Sequence, residues 1–189
     1  MKIALYFGSF NPIHIGHLII ANHVISHCDI DRLWFVVSPQ NPLKETASLL
    51  NENHRLHLVR LAIENEIKFK SSNIEFKLPR PSYTIDTLTH LTEKYPQHDF
   101  AIVMGGDSFS NIKKWKNYEI ILKQYSIIVY NRPGFDIDKS VSKNIEIVHA
   151  PLLDISSTYI RNLIKNRKSI KYLVTDEVMN EIKASHYYR

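Results

Sequence analysis

Six short, mostly apolar runs interleaved with stretches of helical spacing constrain this 189-residue chain more than any other feature. The runs cover residues 3–7, 33–37, 74–78, 100–104, 127–130 and 145–148. Runs of that length and composition predict strands covered on both faces. Between them, residues 18–25 repeat apolar side chains on one helical face with His23 and His27 on the other, while Leu56, Val59, Ile63 and Ile67 mark a second stripe. Residues 84–95 and 112–124 give a third and a fourth, and 157–164 and 176–185 two short ones. Strands joined through helices pair in parallel, since the helix returns the chain to the edge it left. The expectation is one α/β domain over residues 1–189, a parallel sheet with helices on both faces, with the C-terminal helices (about 156–189) packed against the sheet edge.

The formal charge is +5, which suits acidic ligands without identifying them. Two classes fit: an enzyme acting on phosphorylated small molecules, and a nucleic-acid-binding module. The densest basic stretch holds Arg161, Lys165, Arg167, Lys168 and Lys171, and its favoured reading is a solvated helix end with cations near the negative pole. No basic surface interleaved with aromatic residues is apparent, so nucleic acid is not an expected partner. No run of about 18 apolar residues predicts a membrane span, and the N-terminus reads poorly as a signal peptide. Cys28 is the single cysteine, so an internal disulfide is excluded and a reducing cytoplasm is expected.

With only five glycines, their positions are informative. Gly8 follows the first predicted strand, Gly16 opens the first helix, Gly105 and Gly106 follow the fourth strand, and Gly134 follows the fifth. Turns use glycine in any case, but these positions mark the carboxyl edge, where open parallel sheets bind ligands. The block Gly8-Ser9-Phe10-Asn11-Pro12-Ile13-His14-Ile15-Gly16-His17 is the densest such feature. Pro12 disfavours helical geometry at Asn11, so the helix is expected to begin near Gly16, with His14 just before it and His17 in its first turn. Free N–H groups there attract anions, and Gly8 and Gly16 would let a phosphate approach the backbone. A metal site lacks a cysteine or carboxylate in this stretch to complete it. A structural histidine pair explains less of the block than a phosphate cradle does. At the other end, Ser156-Ser157-Thr158 would cap a helix and bind an anion, with Arg161 one turn on as a bidentate phosphate donor.

The first block resembles the G-[ST]-F-[DN]-P-[IV]-H-x-G-H signature of the nucleotidylyltransferase superfamily, and Ile155-Ser156-Ser157-Thr158-Tyr159-Ile160-Arg161 is similar to its I-S-S-T-x-x-R motif. Between them, Ser82-Tyr83-Thr84-Ile85-Asp86-Thr87-Leu88, then Gly105-Gly106-Asp107-Ser108-Phe109 with Trp115, Tyr118 and Ile121-Leu122, and Asn131-Arg132-Pro133-Gly134 resemble one branch, the bacterial nicotinate-nucleotide adenylyltransferases. The resemblance spans nearly the whole chain. Where many relatives carry P-P-H-K, this chain has Asn41-Pro42-Leu43-Lys44: the cation is kept and the histidine is not.

The resemblance implies a Rossmann-like sheet of the nucleotidylyltransferase type. It also implies transfer of the adenylyl group of ATP to nicotinate mononucleotide, giving deamido-NAD and pyrophosphate in NAD biosynthesis. It makes His14, His17, Lys44 and Arg161 catalytic and assigns ATP to Gly8, Ser9, Phe10, Gly16, Gly106, Asp107, Ile155, Ser156, Ser157 and Thr158. The mononucleotide falls to Tyr83, Thr84, Trp115, Lys116 and Arg132. Trp115 would stack on the pyridine ring, although a lone tryptophan in an amphipathic helix is more often core; Tyr83 and Thr87 have structural roles open to them, and Asp107 fits either a ribose acceptor or a helix cap. Magnesium (Mg2+), held mainly by ATP phosphates and water, is the implied cofactor. No protein metal site, nucleic acid or membrane is implied. The alternatives are a superfamily enzyme with another acceptor, nicotinamide mononucleotide or phosphopantetheine, and a non-catalytic nucleotide- or nucleic-acid-binding domain. The remaining histidine pairs, His23 with His27 and His54 with His57, read as solvent-facing.

Overall fold

The computed structural model describes residues 1–40, 49–131, 134–135, 137–151 and 153–189. Its strands are β1 (Lys2–Gly8), β2 (Arg32–Val37), β3 (Phe69–Ser72), β4 (Asp99–Gly105), β5 (Ser126–Tyr130) and β6 (Ile145–Val148). They form one sheet of order β3-β2-β1-β4-β5-β6 with every neighbouring pair parallel. This is the doubly wound Rossmann arrangement, whose strand order reverses between β1 and β4. The helices are α1 (Ile15–His27), α2 (Glu52–Ala62), α3 (Thr84–Lys94), α4 (Gly106–Phe109), α5 (Tyr118–Gln124), α6 (Ser157–Lys165) and α7 (Asp176–Ala184).

The period-2 rule of a strand divides the core into two layers. Ala4, Tyr6, Leu33, Phe35 and Val103 face one side, where Ile20 and Val24 of α1 and Leu56 and Val59 of α2 cover them. Ile3, Leu5, Trp34, Val36 and Ile102 face the other, against Leu88 and Leu91 of α3 and Ile121 of α5. Ile160 of α6 and Val178 and Ile182 of α7 belong to the first layer, and α7 lies against α2. Among the described residues no helix is long and apolar enough to cross a membrane.

Three sequence expectations need correction. The third strand is Phe69–Ser72, and residues 74–77 form a 3₁₀ turn instead. An edge strand with one paired neighbour needs no continuous apolar run, so KFKSS-type polarity is tolerated there, while Ile74 and Glu75 turn inward. Second, α2 stops at Ala62, and Ile67 is 89% exposed, outside the stripe it seemed to extend. Third, the predicted helix over 112–124 is broken: a 3₁₀ turn Ile112–Lys114 leads into extended backbone at Trp115 and left-handed backbone at Asn117 (φ 53°) before α5 begins. Asparagine tolerates that conformation better than most residues.

Candidate active site

The carboxyl ends of β1 and β4 meet at the strand-order reversal, and the residues that follow them carry the first motif and Gly106-Asp107. The Tyr6 and Tyr130 hydroxyls lie 3.5 Å apart beneath this point. At the opposite, amino-terminal edge a cleft of about 680 Å³ is lined by Lys2, Asp29, Asp99, Ser126 and Glu146, none of which belongs to either motif.

In the first motif the chain turns sharply: Phe10 adopts φ 46° and its side chain, 3% exposed, folds back into the core. A Cβ on Gly8 would come 2.8 Å from that ring, and one on Gly16 would come 3.1 Å from the ring of His14. The two glycines therefore make room for the motif's own rings. Phe10 supports this turn through its ring. We expect Gly8→Ala to destabilise the protein by about 1–3 kcal/mol through overpacking against Phe10, read as a lowered denaturation midpoint.

Helix α1 starts at Ile15, one residue before the expected position, with His14 as its extended N-cap (φ −147°, ψ 168°). The His14 and His17 rings stack at 3.7 Å, with Phe10 edge-on to His17 at 5.1 Å and Tyr6 at 6.1 Å. The backbone N–H of His14 donates to Nδ1 of His17 at 3.2 Å. A backbone N–H can only donate, so Nδ1 carries the lone pair and neutral His17 holds its proton on Nε2. His14 is buried, whereas His17 is partly exposed.

The second motif lies directly on the first. Ser157 Oγ donates to the Pro12 carbonyl at 2.8 Å, and Arg161 Nη1 donates to the Asn11 carbonyl at 2.9 Å. Arg161 Nη2 also donates to Thr158 Oγ1 at 3.2 Å, while Ser156 caps α6 by accepting from the Tyr159 N–H at 3.1 Å. Ile155 packs against the first core layer. Lys165, Arg167, Lys168 and Lys171 stay exposed, so of the basic stretch only Arg161 turns inward.

Arg55 is the residue that sequence reasoning missed. It is fully buried and donates to four backbone carbonyls: Leu50 at 2.7 Å, Ser9 at 2.6 Å, Ser38 at 2.8 Å and Pro39 at 2.9 Å. Three chain segments, those after β1, after β2 and before α2, are held by this one guanidinium. The Asn11 side chain adds a fifth tie between the same segments by accepting from the Leu50 N–H at 3.1 Å. Nothing in the local pattern of α2 distinguishes Arg55 from a surface arginine.

Of the residues that the resemblance assigns to the mononucleotide, Tyr83, Thr84 and Lys116 lie together at the start of α3. Lys116 Nζ donates to both carboxylate oxygens of Asp86 at 3.0 Å and lies 4.9 Å from the Tyr83 ring centroid. Trp115 is half-buried against the second core layer, so it is neither wholly core nor a free platform. Thr84 opens α3, and Asp107 is in the first turn of α4, where a Cβ on Gly105 would strike its carboxylate and, at 2.9 Å, the Tyr130 ring. Thr87 is buried and structural: its hydroxyl donates to the buried Glu75 carboxylate at 2.9 Å. Lys44 and Arg132 lie outside the described residues. Of the other histidines, His54 and His57 are exposed, with His54 Nδ1 2.6 Å from the Tyr187 hydroxyl, and the partly exposed His23 stacks on His27 at 4.0 Å.

A family model described as cytidylyltransferase-like matches residues 5–163. Curated relatives include proteins of Cytophaga hutchinsonii, 54% identical over all of this chain and 98% of its own length, and of Flavobacterium psychrophilum, 51% identical over the full length of both, each named a probable nicotinate-nucleotide adenylyltransferase. The chain belongs to the nicotinate-nucleotide adenylyltransferase family. Among solved structures, the Plasmodium falciparum nicotinic acid mononucleotide adenylyltransferase complexed with NaAD superposes with a TM-score of 0.84 at 23% identity, covering 99% of this chain and 97% of its own. At that identity the likeness concerns the fold alone.

Proposed function

We propose that this member of the family transfers the adenylyl group of ATP to nicotinate mononucleotide. An ionised phosphate oxygen of the mononucleotide attacks the α-phosphorus of ATP. The bond from that phosphorus to the bridging oxygen breaks, and pyrophosphate leaves with the electron pair. The nucleophile is already anionic near neutral pH, so no protein base is required. The chain must align two anions and neutralise charge growing on the leaving group. The observation that carries this reading is the contact between the motifs, in which Ser157 and Arg161 donate to the carbonyls of Pro12 and Asn11. It brings an arginine fork and a helix N-terminus to the turn that presents His14 and His17.

In this reading His17 donates from Nε2 to a phosphate oxygen, and His14 braces it by stacking. Arg161 and Lys44 neutralise the triphosphate, with Ser156 and Thr158 as further donors. Trp115 supports the pyridine ring; Tyr83, Thr84, Lys116 and Arg132 complete the acceptor side. Magnesium enters as part of the substrate, carried on the ATP phosphates. Donors here are imidazole, guanidinium and hydroxyl groups, which suit phosphate oxygens, and the described residues hold no cluster of three or more metal-ligating side chains. Both substrates are small and water-soluble, which fits work in the cytoplasm.

The test is direct measurement of the adenylylated product from ATP, magnesium and each of three acceptors: nicotinate mononucleotide, nicotinamide mononucleotide and phosphopantetheine. Deamido-NAD formation with a clear preference for the acid mononucleotide is expected, with loss on chelation and recovery on adding magnesium back. Preferred turnover of either other acceptor overturns the assignment.

A further inference from the structure

We propose that Glu75 is a positioning residue for the acceptor side of the site, acting on the first turn of α3 through a hydroxyl-bonded carboxylate; this rests on the assignment of that turn to the mononucleotide. Glu75 lies in the 3₁₀ turn that follows β3 and is 2% exposed. Its Oε2 accepts from Ser82 Oγ at 2.9 Å and its Oε1 from Thr87 Oγ1 at 2.9 Å. The Ser38 hydroxyl, just past β2, reaches it as well. The carboxylate thus ties together the chain leaving β2, the chain leaving β3, and both ends of the 82–87 segment that presents Tyr83 and Thr84.

The choice of partners is unusual for a buried acid. A carboxylate kept from water normally has a cation beside it. Here the charged groups on neighbouring elements are engaged elsewhere: Asp86 of α3 pairs with Lys116, and Arg80 pairs with Glu52 at the start of α2. Among the described residues, the groups that hydrogen-bond Glu75 are hydroxyls, and burial pushes its carboxyl above the usual range. Such a group costs stability compared with an apolar residue, so a plain space-filling role does not account for it. A fixed acceptor for two hydroxyls does. Both oxygens accept, which is the pattern of the ionised form. When the carboxyl is protonated, one oxygen becomes a donor and one hydroxyl loses its acceptor.

Glu75→Ala should raise the KM for the acceptor mononucleotide about tenfold, the loss of a positioned hydrogen-bonded contact. The KM for ATP should change by less than about twofold, as expected when only acceptor binding is touched. Glu75→Gln keeps one acceptor and lets the other hydroxyl accept from the amide, so it should recover the acceptor KM to within about threefold. The ratio of acceptor KM between wild type and Glu75→Gln should rise as pH falls through the raised carboxyl value, since substrate titration cancels in the ratio. In the ligand-free protein, hydrogen exchange at the amides of residues 83–88 should quicken about tenfold in Glu75→Ala, with α1 unchanged. Thr87→Val, nearly isosteric, should give a smaller shift in the same direction if Glu75→Ala does not fold. Equal rises in both KM values, or unchanged exchange at 83–88, overturn the proposal. Wild-type protein that makes no dinucleotide from nicotinate mononucleotide overturns the substrate assignment instead, and the exchange measurement still decides whether Glu75 holds the 83–88 segment.

Discussion

Replacing His17 by alanine lowers kcat by about a hundredfold or more, the scale of losing one preorganised donor to a developing charge. The fall in kcat should far exceed any rise in the KM for ATP. The physical reason lies in how tightly the ring is fixed. Its Nδ1 accepts from the His14 backbone N–H at 3.2 Å, its face stacks on His14 at 3.7 Å, and Phe10 meets it edge-on at 5.1 Å. With Nδ1 accepting, neutral His17 carries its proton on Nε2, oriented before substrate arrives. A donor held in place this way does not reorganise as charge builds, so its value appears in the transition state more than in the ground state. His14→Ala should cost less, because its part is to brace the neighbour. Steady-state kinetics at saturating ATP and acceptor give the measurement; an unaltered kcat in His17→Ala removes His17 from the reaction.

The second large effect is on stability. Arg55→Ala should destabilise the fold by about 3–5 kcal/mol, combining a lost charged donor set with four carbonyls, one buried and three half-buried, left short of partners. For a chain of this size that corresponds to roughly 6–20 °C in melting temperature. Arg55 is fully buried, and burial itself lowers its pKa, so the guanidinium is retained against a desolvation cost. Its four acceptors belong to segments that are far apart in sequence, so no local interaction can substitute. Arg55→Lys keeps the charge but cannot reproduce the planar fork, so it should recover only a minor share. Denaturant unfolding of the two variants checks this. A wild-type midpoint in Arg55→Ala would show that the loop ends after β1 and β2 are held by something else.

Much of the site was legible without coordinates because its cues are local. Five of the six predicted runs coincide with strands. Asn11-Pro12 delays the helix, so the start of α1 could be placed within one residue. Ser156 capped α6 as its type and position suggested. The one missed strand, β3, is an edge strand with polar alternation, whose apolar signal is weak by nature, and the buried Ile74 and partly buried Phe76 beside it imitated a strand. The break at Trp115–Asn117 carries no proline or glycine to announce it; it rests on a left-handed asparagine.

The sequence by itself determined the alternation of strands and helices and the family, since each depends on periodicity and on contiguous motif residues. Only the tertiary structure decided that Gly8 and Gly16 accommodate the rings of Phe10 and His14, that Arg55 and Glu75 are buried, and that Arg161 donates to Asn11 across 150 positions. Those outcomes hinge on which polar groups burial leaves in need of partners. That is settled by segments brought together when the sheet closes, and no stretch of neighbouring residues encodes it.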